Sequence, residues 1–166
     1  MMDKPGAMTT NRPIIVAEIS ANHGGSKLSA IQHIKAAKAS GADAVKIQVW
    51  HPDYMVANNG YRCPGGPWAG TSLSDLYRQA HTPWEWLEAL FAAARRERIV
   101  MFASVFDLPS LARLQHLECP IYKIASHELV DTPLIEAVGR TGKPIIISTG
   151  MASYPEIGAA EQAARK

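Results

Sequence analysis

Five short runs of apolar residues alternate along the chain with segments in which apolar residues recur at helical spacing. The runs cover residues 13–19, 44–49, 99–104, 121–124 and 144–148. Runs that are almost continuously apolar are typical of parallel strands, because both faces of such strands are covered. We therefore expect five strands, the first of them buried on both faces.

The segments between the runs predict helices with recognisable start signals. Thr82 is the expected N-cap of a helix that has Pro83 at its first position and Glu85 completing a capping box. Ser153 and Glu156 form a second capping box. Other helices are expected over residues 27–40 and 73–80, after Asp107 and after Thr132.

The alternation of strands and helices predicts the α/β class, a parallel sheet with helices packed outside it. An open dinucleotide-binding sheet would show Gly-x-Gly-x-x-Gly after its first strand, and residues 22–26 do not match that motif. Polar groups follow every strand, which favours a (β/α)8 TIM barrel, but eight units need about 250 residues. We expect an incomplete TIM-barrel-type domain of about five βα units over residues 13–166, preceded by a tail over residues 1–12.

Residues 50–81 interrupt the regular alternation. This segment is rich in glycine and proline, yet it also contains Trp50, Tyr54, Tyr61, Trp68 and Tyr77. Disordered linkers are poor in aromatic residues. We therefore expect an ordered loop over the strand ends, with one short helix near residues 73–80.

Cationic and hydroxyl side chains lie at or just past the ends of four predicted strands: Lys46, Ser104, Lys123, Ser126 and Ser148. A lysine inside an apolar strand loses hydration, which is tolerated only where an anion compensates its charge. The carboxyl ends of neighbouring parallel strands meet at one edge of the sheet. The pattern predicts one pocket for a phosphate or a carboxylate. The alternative is that both lysines are surface residues on edge strands.

Two carboxylates and one amide join this group. Glu18 comes directly after the apolar residues 15–17 of the first run as a candidate buried carboxylate, and Glu128 follows the fourth run. Either could act as a base or bind hydroxyl groups, and Gln48 could orient a polar substrate. The alternative role for Glu18 is a structural ion pair with Lys46 on the neighbouring strand.

Composition and histidine spacing exclude several classes of function. Hydrophobic residues make up 47%, charged residues 19% and the net charge is +2, so the chain has no basic surface typical of nucleic-acid binding. Cys63 and Cys119 lack metal-type spacing, so we expect free thiols and a cytoplasmic location. No stretch approaches 18 uninterrupted apolar residues, so we expect no membrane segment. His23 and His127 are candidate metal ligands or acid–base groups, but neither lies in a His-x-His or His-Glu-x-x-His motif.

Four motifs in order resemble the sialic acid synthase family. They are Ala-Glu-Ile-Ser-Ala-Asn-His at 17–23, Gly-Ala-Asp-Ala-Val-Lys-Ile-Gln at 41–48, Tyr-Lys-Ile-Ala-Ser at 122–126 and Ile-Ile-Ile-Ser-Thr-Gly-Met at 145–151. Residues 68–77 and 81–86 look most like the pseudaminic acid synthase branch of that family. One departure is Val105, which stands where the family usually has a proline.

The resemblance implies a transferase that condenses phosphoenolpyruvate with an N-acetylated hexose to give a nonulosonic acid. It assigns the catalytic positions to Glu18, Lys46, Lys123 and Glu128. It assigns substrate binding to Gln48, Ser104, Ser126 and Ser148. It also implies a divalent metal (Mn²⁺ or Mg²⁺) whose ligands come from later strands, a C-terminal antifreeze-like domain and a homodimer or other self-association. Those parts would lie past Lys166, so we expect the 166-residue chain to be inactive alone.

Two other functions are compatible with the same residues. The first is an aldolase that forms a Schiff base on Lys46 or Lys123. The second is a non-catalytic fragment that binds an anion or a partner chain through its sheet edges.

Overall fold

The computed structural model describes residues 12–57 and 60–166, which include a five-stranded parallel sheet. Its strands are β1 (Val16–Ser20), β2 (Ala44–Val49), β3 (Val100–Val105), β4 (Tyr122–Ile124) and β5 (Ile145–Ile147). They are hydrogen-bonded in chain order, β1-β2-β3-β4-β5. A doubly wound sheet reverses its strand order at a switch point, whereas this order never reverses. The expected TIM-barrel type of sheet, with five βα units, is therefore confirmed.

Six α-helices accompany these strands in the described part of the chain. They are α1 (Lys27–Ala39), α2 (Leu73–Ala80), α3 (Trp84–Glu97), α4 (Leu108–His116), α5 (Thr132–Gly139) and α6 (Tyr154–Ala164). Short 3₁₀ turns span Pro52–Tyr54, Gly66–Trp68 and Glu128–Val130.

The hydrophobic core joins the helices to one face of the sheet. In β2 the side chains of Val45, Ile47 and Val49 are at most 1% exposed and belong to the same buried cluster as Ile34 and Leu90 of the helices. The alternate residues of β2, at positions 46 and 48, are only half-buried. Because successive side chains of a strand point to opposite faces, the polar residues of β2 lie on the face away from this core.

The expectation that the first strand is buried on both faces is wrong. Ile15 is 54% and Val16 is 38% exposed. Among the described residues β1 is an edge strand that pairs only with β2. Ile146, in β5 at the opposite edge, is 45% exposed for the same reason.

Most predicted helix starts are observed, but that of α3 differs. Asp107 caps α4 by accepting a hydrogen bond from the Ser110 backbone N–H at 2.7 Å, and Glu156 accepts from the Ser153 backbone N–H at 2.7 Å. Helix α3 begins at Trp84 without a side-chain cap. Thr82 does not serve as the N-cap, because its side chain is fully buried and faces inward.

The described residues of the 50–81 segment form the expected ordered insertion. The Trp50 indole N–H donates to the Tyr77 backbone carbonyl at 3.3 Å, which attaches the start of the insertion to α2. The His51 backbone N–H donates to Asp107 Oδ2 at 2.8 Å, which attaches it to the start of α4. The short helix predicted over residues 73–80 coincides with α2.

Three further expectations concern the cysteines, the membrane and the tail. Cys63 and Cys119 are both free thiols. Within residues 12–57 and 60–166 no helix has the length and apolar character needed to cross a bilayer. The tail predicted over residues 1–12 lies outside the described residues except for Arg12, whose guanidinium pairs with Asp43 at 2.9 Å.

Helices α5 and α6 approach each other closely at Gly139. A Cβ atom added there would lie 2.6 Å from the Ala164 backbone oxygen. We expect Gly139→Ala to lower the free energy of unfolding by about 1–3 kcal/mol, because backbone atoms must separate to relieve the overlap. Urea unfolding measures this change.

Gly158→Ala is the matched control, since Gly158 lies within α6 and an added Cβ would have no neighbour within 4 Å. This control is expected to be neutral or to raise stability by up to about 1 kcal/mol, because alanine is the better helix former. Equal stability of the two variants would contradict the close approach.

Candidate active site at the strand ends

The predicted site residues of neighbouring strands lie side by side in the sheet. In the register of β1 and β2, Glu18 pairs with Lys46. In the registers of β3 with β2 and β4, Ser104 pairs with Gln48 and with Lys123. Paired residues of parallel strands project to the same face of a sheet. The five side chains therefore share the face opposite the helix-packed core.

Lys46 has two polar partners on this face. Its Nζ donates to Ser104 Oγ at 3.0 Å and forms an ion pair with the carboxylate of Glu18. The Lys46 side chain is 15% exposed, so it is not the surface lysine of the alternative interpretation. The ion pair that was the alternative role for Glu18 is present. Glu18 is not a buried carboxylate, because its side chain is 41% exposed at the edge of the sheet.

Lys123 forms an equivalent pair two strands further along the sheet. Its Nζ donates to Ser148 Oγ at 2.6 Å and to the Ile124 backbone carbonyl at 2.5 Å. Burial lowers the pKa of Lys123, and the charge of Lys46 lowers it further, while Glu128 and Glu18 oppose the shift. Lys46 therefore acts on Lys123 as a like charge on the same sheet face, and an anion bound there would offset this repulsion.

Glu128 is the second carboxyl group of the site and lies in the turn after β4. Its Oε2 is buried and has no hydrogen-bond partner. Burial raises the pKa of Glu128, and a backbone hydrogen bond and the charges of His127 and Lys123 only partly offset this effect. A carboxyl group with a raised pKa retains its proton at a higher pH and can serve as an acid.

Ser126 is positioned by a glycine that we did not single out from the sequence. Gly150 follows β5 with a φ of +36°, and an added Cβ would overlap Ser126 Cβ and lie 3.1 Å from its Oγ. The backbone after β5 therefore lies directly against the serine after β4. In the sequence, the only indication of this contact is that Gly150 comes two residues after Ser148.

Comparison with known proteins identifies the family. The family model described as NeuB matches residues 33–166. This chain belongs to the NeuB family. It is 44% identical over 148 residues to the pseudaminic acid synthase of Helicobacter pylori (strain ATCC 700392 / 26695), covering 87% of this chain and 44% of the relative. It is 40% identical over 152 residues to the pseudaminic acid synthase of Campylobacter jejuni subsp. jejuni serotype O:23/36, covering 90% of this chain and 44% of the relative.

A solved structure supports the same assignment. The N-acetylneuraminic acid synthetase of Leptospira borgpetersenii serovar Hardjo-bovis, in complex with citrate, superposes with a TM-score of 0.82 at 28% identity. The match covers 93% of this chain and 50% of that structure. The resemblance to sialic acid synthases and to their pseudaminic acid branch is confirmed. This NeuB-family chain spans about half the length of the relatives that it matches.

The residues described here do not fit the divalent metal implied by the resemblance. Across residues 12–57 and 60–166 no three His, Cys, Asp or Glu side chains form a cluster that could hold a metal ion. His127 is exposed at the start of a 3₁₀ turn, outside any such cluster. We therefore derive no reaction step through a metal from this part of the NeuB chain.

His23 has a structural environment. It is 2% exposed, its Nδ1 accepts a hydrogen bond from the Gly25 backbone N–H at 3.1 Å, and its ring packs edge-to-face on Trp86 with centroids 5.3 Å apart. Its Nε2 lies 3.5 Å from Thr82 Oγ1. The His23 ring therefore fastens the loop after β1 to the start of α3.

This environment predicts a pH dependence of stability. Burial lowers the pKa of His23 below its ordinary value of 6.5, and the charges of His81 and His33 add to the effect. Below about pH 6.5 the unfolded chain binds a proton at this site while the folded chain does not, so the free energy of unfolding falls. His23→Gln is expected to flatten this dependence. Urea unfolding of the wild type and of His23→Gln between pH 7.5 and 5 measures this dependence. Identical slopes of the free energy of unfolding against pH would contradict the role of His23.

Proposed function

We propose that this chain provides the phosphoenolpyruvate-binding part of a nonulosonic acid synthase, specifically a pseudaminic acid synthase. The observation that carries the proposal is the pair of half-buried lysines on one sheet face, Lys46 bonded to Ser104 and Lys123 bonded to Ser148. Ammonium and hydroxyl groups are donors that suit the phosphate and the carboxylate of phosphoenolpyruvate. The 44% and 40% identities to pseudaminic acid synthases support the choice of branch.

The remaining site residues receive roles on the sugar side. In the proposed reaction C3 of phosphoenolpyruvate attacks the aldehyde carbon of an N-acetylated hexose, water adds at C2, and inorganic phosphate leaves. The aldehyde oxygen gains a proton as the carbon–carbon bond forms. Glu128 is suited to supply that proton, because its raised pKa favours the neutral carboxylic acid. Glu18 and Gln48 would bind hydroxyl groups of the hexose, and Ser126 would donate to phosphoenolpyruvate.

The metal site and the parts that complete the sheet would come from residues outside those that the structure describes. We infer that the divalent metal, Mn²⁺ or Mg²⁺, is held by residues beyond this part of the chain. The 41% exposure of Glu18 and the open edges at β1 and β5 support completion by further chain or by self-association, because unpaired strand edges favour association. Two free thiols support a reducing, cytoplasmic location.

Calorimetric titration of the 166-residue protein tests this assignment. Phosphoenolpyruvate is expected to bind saturably, and pyruvate, which lacks the phosphate, is expected to bind at least tenfold more weakly. Little phosphate should be released when an N-acetylated hexose and Mn²⁺ are added to this chain alone. Absence of saturable phosphoenolpyruvate binding would contradict the synthase and favour a partner-binding fragment.

The half-burial of Lys123 also favours a second candidate, a Schiff-base aldolase. A lysine with a lowered pKa is more often neutral and is therefore more nucleophilic. Borohydride treatment in the presence of pyruvate separates the two functions. The synthase reaction passes through no imine, so the mass of the protein should stay unchanged. A reduced adduct on Lys123 would support the aldolase.

A further inference from the structure

The two lysines of the site differ in the charge of their partners. Among the residues that the structure describes, the Lys123 ammonium group donates to neutral oxygens, those of a serine hydroxyl and a backbone carbonyl. Lys46 contacts a serine hydroxyl and also the carboxylate of Glu18. The anion-binding position on Lys46 is therefore already taken by an anion of the same chain.

Glu18 is held for this contact by the turn that follows it. Its Oε1 accepts hydrogen bonds from the Ser20 backbone N–H at 3.0 Å and from Ser20 Oγ at 2.7 Å. Ser20 has a φ of +51°, and the β1–β2 register shifts between Glu18 and Ser20. This irregularity brings the Ser20 donors back onto one carboxylate oxygen and leaves the other oxygen directed at Lys46.

The surroundings of Lys46 and Glu18 allow Lys46 to exchange its anionic partner with a small change in free energy. The Glu18 side chain is 41% exposed, so water can solvate its carboxylate when the ion pair opens. The Lys46 side chain is only 15% exposed, and a charge in such a position is destabilising without an opposite charge. An opposite charge therefore stabilises Lys46 more than it stabilises Glu18, which water can solvate without Lys46.

We propose that Glu18 is an internal competitor for the anion site on Lys46. An entering phosphate or carboxylate oxygen replaces the Glu18 oxygen on Lys46, and Glu18 stays hydrogen-bonded to Ser20. The exchange keeps Lys46 compensated throughout and frees a carboxylate beside the bound anion. This inference rests on the proposed function and adds to it a role for Glu18 as a positioning residue that lowers anion affinity.

Titration of phosphoenolpyruvate into three variants tests the inference. Glu18→Gln removes the competing charge, and Glu18→Asp keeps the charge but is too short by one methylene to contact Ser20 and Lys46 together. Both should bind phosphoenolpyruvate roughly two- to fivefold more tightly than the wild type, the value of a partly exposed ion pair. The control Glu161→Gln opens an exposed ion pair with Arg165 and should bind within twofold of the wild type.

The outcomes separate the two proposals. Unchanged or weaker binding by both Glu18 variants, with the wild type still binding, overturns the competitor role alone. No saturable binding by the wild type or either variant overturns the synthase assignment as well. A wild-type measurement does not depend on variant folding: the carboxyl ¹³C signal of Glu18 should shift on saturation with phosphoenolpyruvate. An unmoved signal at saturation would also overturn the competitor role.

Discussion

Replacement of Lys123 by methionine is expected to weaken phosphoenolpyruvate binding roughly thirtyfold, because a hydrogen bond from a charged donor to an anion contributes about 1.5–3 kcal/mol. The ammonium group of Lys123 lies between Ser148 Oγ and the Ile124 carbonyl, on the sheet face that also carries Lys46. Methionine has a similar length and no charge, so it removes the donor while it preserves most of the packing. Lys46→Met should weaken binding by a similar factor. Isothermal titration calorimetry measures both.

The free energy of unfolding distinguishes a binding role of Lys123 from a structural role. Replacing a half-buried ammonium group by an apolar side chain is expected to change the free energy of unfolding of the Lys123 variant by at most about 1 kcal/mol. The control is Lys166→Met, which removes the same charge from an exposed lysine paired with Glu136. It should leave the affinity within twofold of the wild type. Equal affinities of the Lys123 and Lys166 variants would contradict the site.

Gly150→Ala is expected to weaken phosphoenolpyruvate binding by about tenfold and to lower the free energy of unfolding by about 2–5 kcal/mol, the sum of left-handed strain and overpacking. The added Cβ would overlap the side chain of Ser126, so the serine or the loop after β5 must move. Either movement separates Ser126 from the groups at the end of β5. Calorimetry and urea unfolding measure the two effects.

Gly142→Ala provides the matched comparison for this variant. Gly142 also has a positive φ, +67°, but an added Cβ there would meet nothing within 4 Å. Gly142→Ala should lower the free energy of unfolding only by the strain of a left-handed backbone, about 1–2 kcal/mol. It should leave the affinity for phosphoenolpyruvate unchanged. Loss of affinity in both variants would mean that general destabilisation, and not the position of Ser126, controls binding.

The sheet could be predicted from the sequence because each strand carries its own local signal. Strand β2 occupies the predicted residues 44–49, and the others differ from prediction by a few residues at their ends. Leu28 and Ile34 are both apolar residues of α1, yet Ile34 is fully buried and Leu28 is 65% exposed. The spacing of apolar residues gives the period of a helix, but it does not show how far the apolar face extends.

The cap of α3 shows how a tertiary contact overrides a local signal. Thr82, Pro83 and Glu85 form a good capping sequence, yet Thr82 is drawn into the interior beside His23, which comes from the loop after β1. The two residues are 59 positions apart in the chain. A local capping rule contains no information about such a contact.

The candidate site was predictable as a set of residue types, whereas its internal pairing was not. Strand-end positions indicated Lys46, Lys123 and their serines, because polar residues after apolar strands share one edge of a parallel sheet. The contact of Gly150 with Ser126, the orphaned oxygen of Glu128 and the exposure of Glu18 each depend on distances between separate strands. Such distances follow only from the assembled sheet.

A crystal structure of the protein with phosphoenolpyruvate tests the central claim most directly. The account predicts that the ligand lies between β2 and β5, with phosphate or carboxylate oxygens within hydrogen-bond distance, about 3 Å, of Nζ of both Lys46 and Lys123. A ligand bound elsewhere would contradict it. So would a complex in which either ammonium group points into bulk water.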